Sequence, residues 1–146
     1  MREIKFRAKI QGHIGYVFGV PHNVYHDSEH KDKWFDSMQY MDEYGKPTVE
    51  YIEQDTLSEY TGLKDKNGVE IYEGDLVKVY ETVSDGSEST WINEIVFKNA
   101  AFNLVNKKCC KVCKDGFGIT CHLMEAICMG NGIEVIGNIH QNPELI

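Results

Sequence analysis

Ile4, Phe6, Ala8 and Ile10 alternate with Lys5, Arg7 and Lys9, a strict period of two that predicts a half-buried β-strand. Gly12 supplies a turn. Tyr16, Phe18 and Val20 then alternate as a second strand, which Pro21 is expected to end because proline has no N–H for a ladder. The stretch from His22 to Lys33 is polar and reads as a loop. Trp34, Met38 and Met41 fall on one face of a short helix, with Tyr40 and Tyr44 widening the stripe. Gly45-Lys46-Pro47 interrupts the chain, and Val49 and Tyr51 restart a strand. Asp55 or Thr56 is placed to cap a short helical turn reaching Tyr60.

Beyond Tyr60 the pattern is again short strands separated by turns. Asn67-Gly68, in Lys64-Asp65-Lys66-Asn67-Gly68, suits positive φ at both central positions of a tight hairpin. Val69, Ile71 and Tyr72 resume extended chain, and Glu73-Gly74-Asp75 turns it. Leu76 to Tyr80 is a strand with Val77 and Val79 on one face. Thr82 to Thr90 is a polar hairpin tip, Trp91 to Phe97 a strand, and Phe102 to Val105 its expected partner. Lys107 to Gly132 is the least regular stretch. Ile133, Val135 and Ile139 form a last strand with Gly137 at a bulge. The expected core contains Phe6, Val77, Val79, Val96, Phe102, Val135 and Ile139, and the first and last strands are expected to pair.

This pattern predicts a mostly-β protein, a small barrel or sandwich. With 146 residues the chain suits one domain or two small lobes, here residues 1–60 and 61–146. Eight tyrosines and two tryptophans exclude a disordered chain, which is poor in aromatics. Fifteen basic side chains face 23 acidic ones, and the net charge of -8 opposes non-specific binding to phosphate backbones. The N-terminal residues lack the apolar core of a secretory signal, and no apolar run reaches membrane-spanning length, so a cytosolic location is expected.

Three segments carry a resemblance. They are Ile4-Lys5-Phe6-Arg7-Ala8; Tyr60-Thr61-Gly62-Leu63-Lys64-Asp65-Lys66-Asn67-Gly68 continuing through Glu70-Ile71-Tyr72-Glu73-Gly74-Asp75; and Val135-Ile136-Gly137-Asn138-Ile139 with Asn142-Pro143-Glu144-Leu145. In order and spacing the chain resembles the YopX family of phage and prophage proteins. Ile95-Val96-Phe97 before Ala101-Phe102 resembles that family's middle strand pair. The resemblance implies a mostly-β fold with an SH3-like barrel in the C-terminal part and a β-rich N-terminal extension. It also implies a phage or prophage origin in a bacterial cytosol. It brings no activity and no catalytic residue. The sequence departs from the family in a long polar segment from Asn23 to Lys46, in Glu53 where a proline is usual, and in its cysteine-rich stretch.

The chemistry-bearing residues are few. Cys110-Lys111-Val112-Cys113 has the spacing of a zinc knuckle, and Cys121, His122 and Cys128 follow, but these do not form a second knuckle. Free thiols are therefore preferred over zinc on Cys110, Cys113, Cys121 and Cys128, and no cofactor is expected. His22, His26 and His30 recur every four residues in a segment that Pro21 keeps from being a helix, and are read as exposed. Lys5, Arg7 and Lys9 share a strand face, and Lys107, Lys108, Lys111 and Lys114 form a second basic cluster. The long central motif has turn chemistry without a convergent acid, base and nucleophile, so its first reading is structural. No phosphate-binding loop or nucleophile elbow is present.

The binding candidates are thus Lys5, Arg7, Lys9, Tyr60, Thr61, Asp65 and Asp75, with no catalytic residue. The preferred function is a non-catalytic module that binds a phage or host protein. A nucleic-acid-binding barrel, disfavoured by the net charge, and an enzyme are the alternatives. Homo-oligomerisation is left open.

Overall fold

Strands dominate both halves of the chain, and where the alternation is strict the register follows it. The structure, a computed structural model, describes residues 3–22, 36–82, 86–106, 119–128 and 132–145. It divides into two compact units, Met1–Tyr60 and Thr61–Ile146.

The N-terminal unit holds β1 (Phe6–Lys9), β2 (Tyr16–His22), β3 (Ser37–Met41), β4 (Pro47–Tyr51), a 3-10 turn (Gln54–Thr56) and the start of β5 (Ser58–Lys64). Its strands lie in the order β4-β3-β2-β1-β5, all antiparallel. A single bridge between Ile10 and Ile52 draws the end of β1 to the end of β4. The Gln11 N–H donates to the Tyr51 carbonyl at 3.0 Å and the Glu53 N–H to the Lys9 carbonyl at 2.8 Å on either side of it. Curling the sheet in this way encloses Ala8, Ile10, Met38 and Ile52, with Phe6, Val17, Tyr40 and Leu57 packed around them.

Three expectations change in this unit. Met38 and Met41 lie on β3 and not on a helix: Ser37 to Met41 pairs with β2 and β4, and the ladder overrides a weak helical spacing. Pro21 does not end β2; it stands opposite Met38 with His22 still paired beyond it. The helical turn at Thr56 stops there, with chain pairing resuming at Ser58.

The C-terminal unit contains the rest of β5, then β6 (Glu70–Tyr72), β7 (Asp75–Thr82), β8 (Glu88–Lys98), β9 (Ala101–Val105), β10 (Ile119–His122), α1 (Leu123–Cys128), β11 (Gly132–Asn138) and a 3-10 turn (Pro143–Leu145). Five of them form a sheet in the order β10-β9-β8-β7-β11. The sheet is open among the described residues, so the mostly-β expectation stands without the closure of an SH3-like barrel. Its core is Ile71, Val77, Val79, Ile95, Leu104, Leu123, Ala126 and Ile133, with Leu63, Phe102, Ile127 and Val135 partly buried against it.

Val77 and Val79 are buried as expected, whereas Phe6, Val96, Phe102, Val135 and Ile139 are half-buried. On β8 the buried apolar position is Ile95, one residue from Val96, because a shift of one reverses the face. The irregular stretch also contributes core, since Leu123 and Ala126 of α1 are buried. The first and last strands do not pair: β1 lies between β2 and β5, and β11 lies beside β7. The bulge on β11 is present, with Val135 opposite Val77 and Gly137 opposite Leu76, leaving Ile136 as the extra residue.

Two hairpin turns share one construction. In Asp65-Lys66-Asn67-Gly68-Val69, the Gly68 N–H donates to the Asp65 carbonyl at 3.0 Å and the Asp65 N–H to the Val69 carbonyl at 2.8 Å. In Asp42-Glu43-Tyr44-Gly45-Lys46 the equivalent distances are 2.9 and 3.0 Å. In each, the aspartate Oδ1 accepts amides two and four residues on. Positive φ falls on Gly68 and Gly45 and not on Asn67, so the turn is a three-residue loop ending in a left-handed glycine, not the expected two-residue one.

The two-residue turn occurs elsewhere. Lys98 pairs with Ala101, and both intervening residues, Asn99 and Ala100, have positive φ, at 55° and 60°. Asn103, buried beneath it, donates to the Lys98 and Ala101 carbonyls at 2.9 and 2.8 Å. A left-handed alanine is strained by contact of its Cβ with the backbone. Ala100→Gly should therefore stabilise the protein by about 0.5–1 kcal/mol, after the greater unfolded-state entropy of glycine is deducted. A denaturant midpoint at or below the wild-type value would contradict this.

Candidate functional site

In an antiparallel ladder directly opposed residues share a face. In the N-terminal unit Arg7 opposes Phe18 and Ser58, Lys9 opposes Tyr16, Val20 opposes Gln39, Gln39 opposes Val49, Ser37 opposes Tyr51, and Met41 opposes Pro47. The other parity carries Phe6, Ala8, Val17, Met38 and Tyr40 into the core. Apart from Arg7, Ser37 and Ser58, which are buried, the first set lies on the outward face, where an antiparallel sheet with one solvated side is normally polar.

This face is not polar. Phe18, Val20, Met41, Val49 and Tyr51 are 58, 66, 63, 45 and 46% exposed. Gln39 and Pro47 are exposed among them. An apolar group spread over three neighbouring strands, in a unit whose core is built on the other face, marks an interaction surface rather than scattered exposure.

The cations of β1, and that of Lys5 just before it, border this patch. The Arg7 guanidinium lies 4.7 Å from the centre of the Tyr16 ring, and the Lys9 ammonium 5.9 Å from the same ring. The Lys5 ammonium is 5.5 Å from the Tyr60 ring and 3.4 Å from a Glu3 carboxylate oxygen. Tyrosine faces attract these cations and so hold the long side chains against the sheet. Lys5 and Lys9 are half-buried and Arg7 is buried. Lys5, Arg7, Lys9 and Tyr60 thus come together in one unit.

Thr61, Asp65 and Asp75 belong to the other unit and engage backbone. Thr61 Oγ1 donates to the Ile71 carbonyl at 2.8 Å and accepts the Leu63 N–H at 3.2 Å. Asp75 is buried and accepts the Tyr72 N–H at 2.8 Å. Asp65 accepts three amides, from Asn67, Val69 and Val135, at 2.8, 2.9 and 3.0 Å. Burial alone would raise its carboxyl, but these donors, aided by Lys66, outweigh it and hold the pKa below the usual carboxylate value. These contacts account for the turn chemistry of the central motif.

Two further polar groups have acid–base character. Tyr40 donates to Glu50 at 2.6 Å; that bond, with burial and the charges of Glu50 and Asp42, pushes its phenol up to about 12. In the C-terminal unit Glu134 accepts from the Tyr80 hydroxyl at 2.7 Å and pairs with Lys66 at 2.8 Å. The Lys66 and Lys78 ammoniums lie 4.0 and 5.1 Å from the Tyr80 ring. Lys66, with Tyr80, lowers the Glu134 pKa, and Glu134 raises that of Lys66, so each keeps its ordinary charge at neutral pH. The arrangement is an ion-pair network on a sheet surface and not a poised acid or base.

Among the described residues no group of three or more His, Cys, Asp or Glu is arranged to hold a metal. Cys110 and Cys113 lie outside the described residues, with His26, His30 and the cluster Lys107, Lys108, Lys111 and Lys114. For Cys121 and Cys128 only the backbone is described, in β10 and α1. No helix among the described residues is long and apolar enough to cross a membrane.

Sequence reasoning placed the basic row but not the apolar patch beside it. The signal was in β2, where Tyr16-Val17-Phe18-Gly19-Val20 is apolar at both parities, as a strand covered on both sides would be.

Comparison with known proteins supports a whole-chain relationship. A family profile described as YopX protein matches residues 5–146. The crystal structure of protein EF1440 from Enterococcus faecalis is similar, with a TM-score of 0.50 and 27% sequence identity over 99% of each chain. No curated protein matches the sequence.

Proposed function

Because the chain belongs to the YopX protein family, we propose that it is a phage- or prophage-encoded accessory protein of the bacterial cytosol, a non-catalytic module that binds another protein. The supporting observation is the outward face of the N-terminal sheet, where Phe18, Val20, Met41, Val49 and Tyr51 are exposed together. Aliphatic side chains form much of this patch. They pack against a protein surface but offer no π-face for a base to stack on, which favours protein over single-stranded nucleic acid.

Capture from induced or infected host cells tests the reading, with the nuclease-treated wild type compared against Phe18→Asp. Phe18 is exposed, so the substitution should change stability by no more than about 0.5 kcal/mol. A protein partner retained by the wild type and lost by the variant is the expected result. Retention by both, or retention only without nuclease, would overturn it.

A further inference from the structure

The chemistry of the partner can be narrowed, on the premise that the outward face is the binding surface. The exposed or half-buried strand positions described on this face are Lys9, Tyr16, Phe18, Val20, His22, Gln39, Met41, Pro47, Val49 and Tyr51, and none is Asp or Glu. The chain has 23 acidic residues, so their exclusion from one face of an acidic protein is a compositional bias. The two carboxylates within these strands, Glu50 and Glu59, oppose Met38 and Phe6 and so sit at the other parity. The face is an apolar centre bordered on β1 by cations.

We infer that the partner is an acidic protein segment with apolar anchors: its aliphatic or aromatic side chains cover Phe18, Val20 and Val49 while its carboxylates meet the half-buried Lys5 and Lys9. Complementary charge at the border fixes orientation and speeds encounter, and the apolar centre supplies the contact area. A second copy fits poorly. Stacking one such face on another brings no strand carboxylate to either row of cations.

The test is selection of a library of short random peptides, displayed on a neutral carrier, against the immobilised full-length protein. Peptides rich in Asp or Glu beside aliphatic or aromatic residues should be enriched. Their affinity should fall about tenfold or more in Phe18→Asp, fall similarly in a Lys5→Glu/Lys9→Glu double variant, and decrease with added salt in the wild type. The salt dependence and the acidic bias read out the charge term even if the double variant fails to fold. Enriched peptides that need Phe18 but show neither acidic bias nor salt dependence would overturn the inference while leaving the binding face intact. Peptides indifferent to Phe18→Asp would overturn both. A concentration-dependent dimer abolished by Phe18→Asp would assign the face to a second copy. Displacement of the peptides by a single-stranded oligothymidylate would assign it to nucleic acid.

Discussion

Gly19→Ala is expected to destabilise the protein by about 3 kcal/mol or more, at the upper end of what overpacking costs. Gly19 lies in the middle of β2, facing Phe6 on one side and Tyr40 on the other. A Cβ added there would stand 2.1 Å from the Gln39 carbonyl oxygen and 2.9 Å from its carbon, with Met38 Cγ at 3.0 Å. The first two are backbone atoms of the adjacent strand, so no rotamer change relieves the clash. Either β3 moves away and loses pairing with β2, or β2 shifts and opens the core around Met38. Glycine in a strand interior commonly marks such a close approach of another backbone. The measurement is a denaturant midpoint, with amide exchange in β2 and β3 to locate the damage. A stability within about 0.5 kcal/mol of wild type would show that the strands are not held this closely.

Asp65→Ala should cost about 3–4 kcal/mol, because one carboxylate satisfies three backbone amides and one of them, Val135, comes from β11. Asp65→Asn keeps an oxygen for the turn amides but presents N–H to the Val135 amide, so about half of that loss should remain. Asp42→Ala provides the control. The same turn is built there on Tyr44 and Lys46 amides in an exposed setting, and the loss should be about 1 kcal/mol. The pH dependence follows the depressed carboxyl. The folded state holds Asp65 ionised below its unfolded pKa of about 3.9, so its contribution is present above that value. As pH falls from there through the folded value, the contribution is lost. Asp65→Asn should flatten this acid limb while leaving neutral-pH behaviour parallel to wild type. Equal losses at Asp42 and Asp65 would show that the long-range bond to Val135 carries no weight.

The two turns also show how a local reading can be right about place and wrong about form. Asn-Gly favours a two-residue hairpin turn when nothing else intervenes. Here Asp65 captures the amides of Asn67 and Val69, which lengthens the loop and leaves Gly68 alone at positive φ. The two-residue turn instead falls at Asn99-Ala100, where the sequence carries only half the usual signal.

The chain's pattern determined that it is built from strands, and where most of them lie: β1, β2, β4, β7 and β11 fall on stretches whose period of two comes from local side-chain direction, and β8 and β9 on β-rich runs between turns. The turn residues at Gly12, Gly45, Gly68 and Gly74 were equally legible, since each has a positive φ that favours glycine. Which face of a strand is the inside was not legible. Period two separates two faces but does not label them, and when both are apolar, as in β2, only the neighbouring strands decide. The tertiary structure turned Val17 inward with Met38 and left Phe18 and Val20 outward, so the residues that made β2 recognisable are those it exposes. Pairing was equally beyond the sequence. The partners of β1 and β11 are set by which apolar faces can be buried together, and that is a property of the whole folded unit.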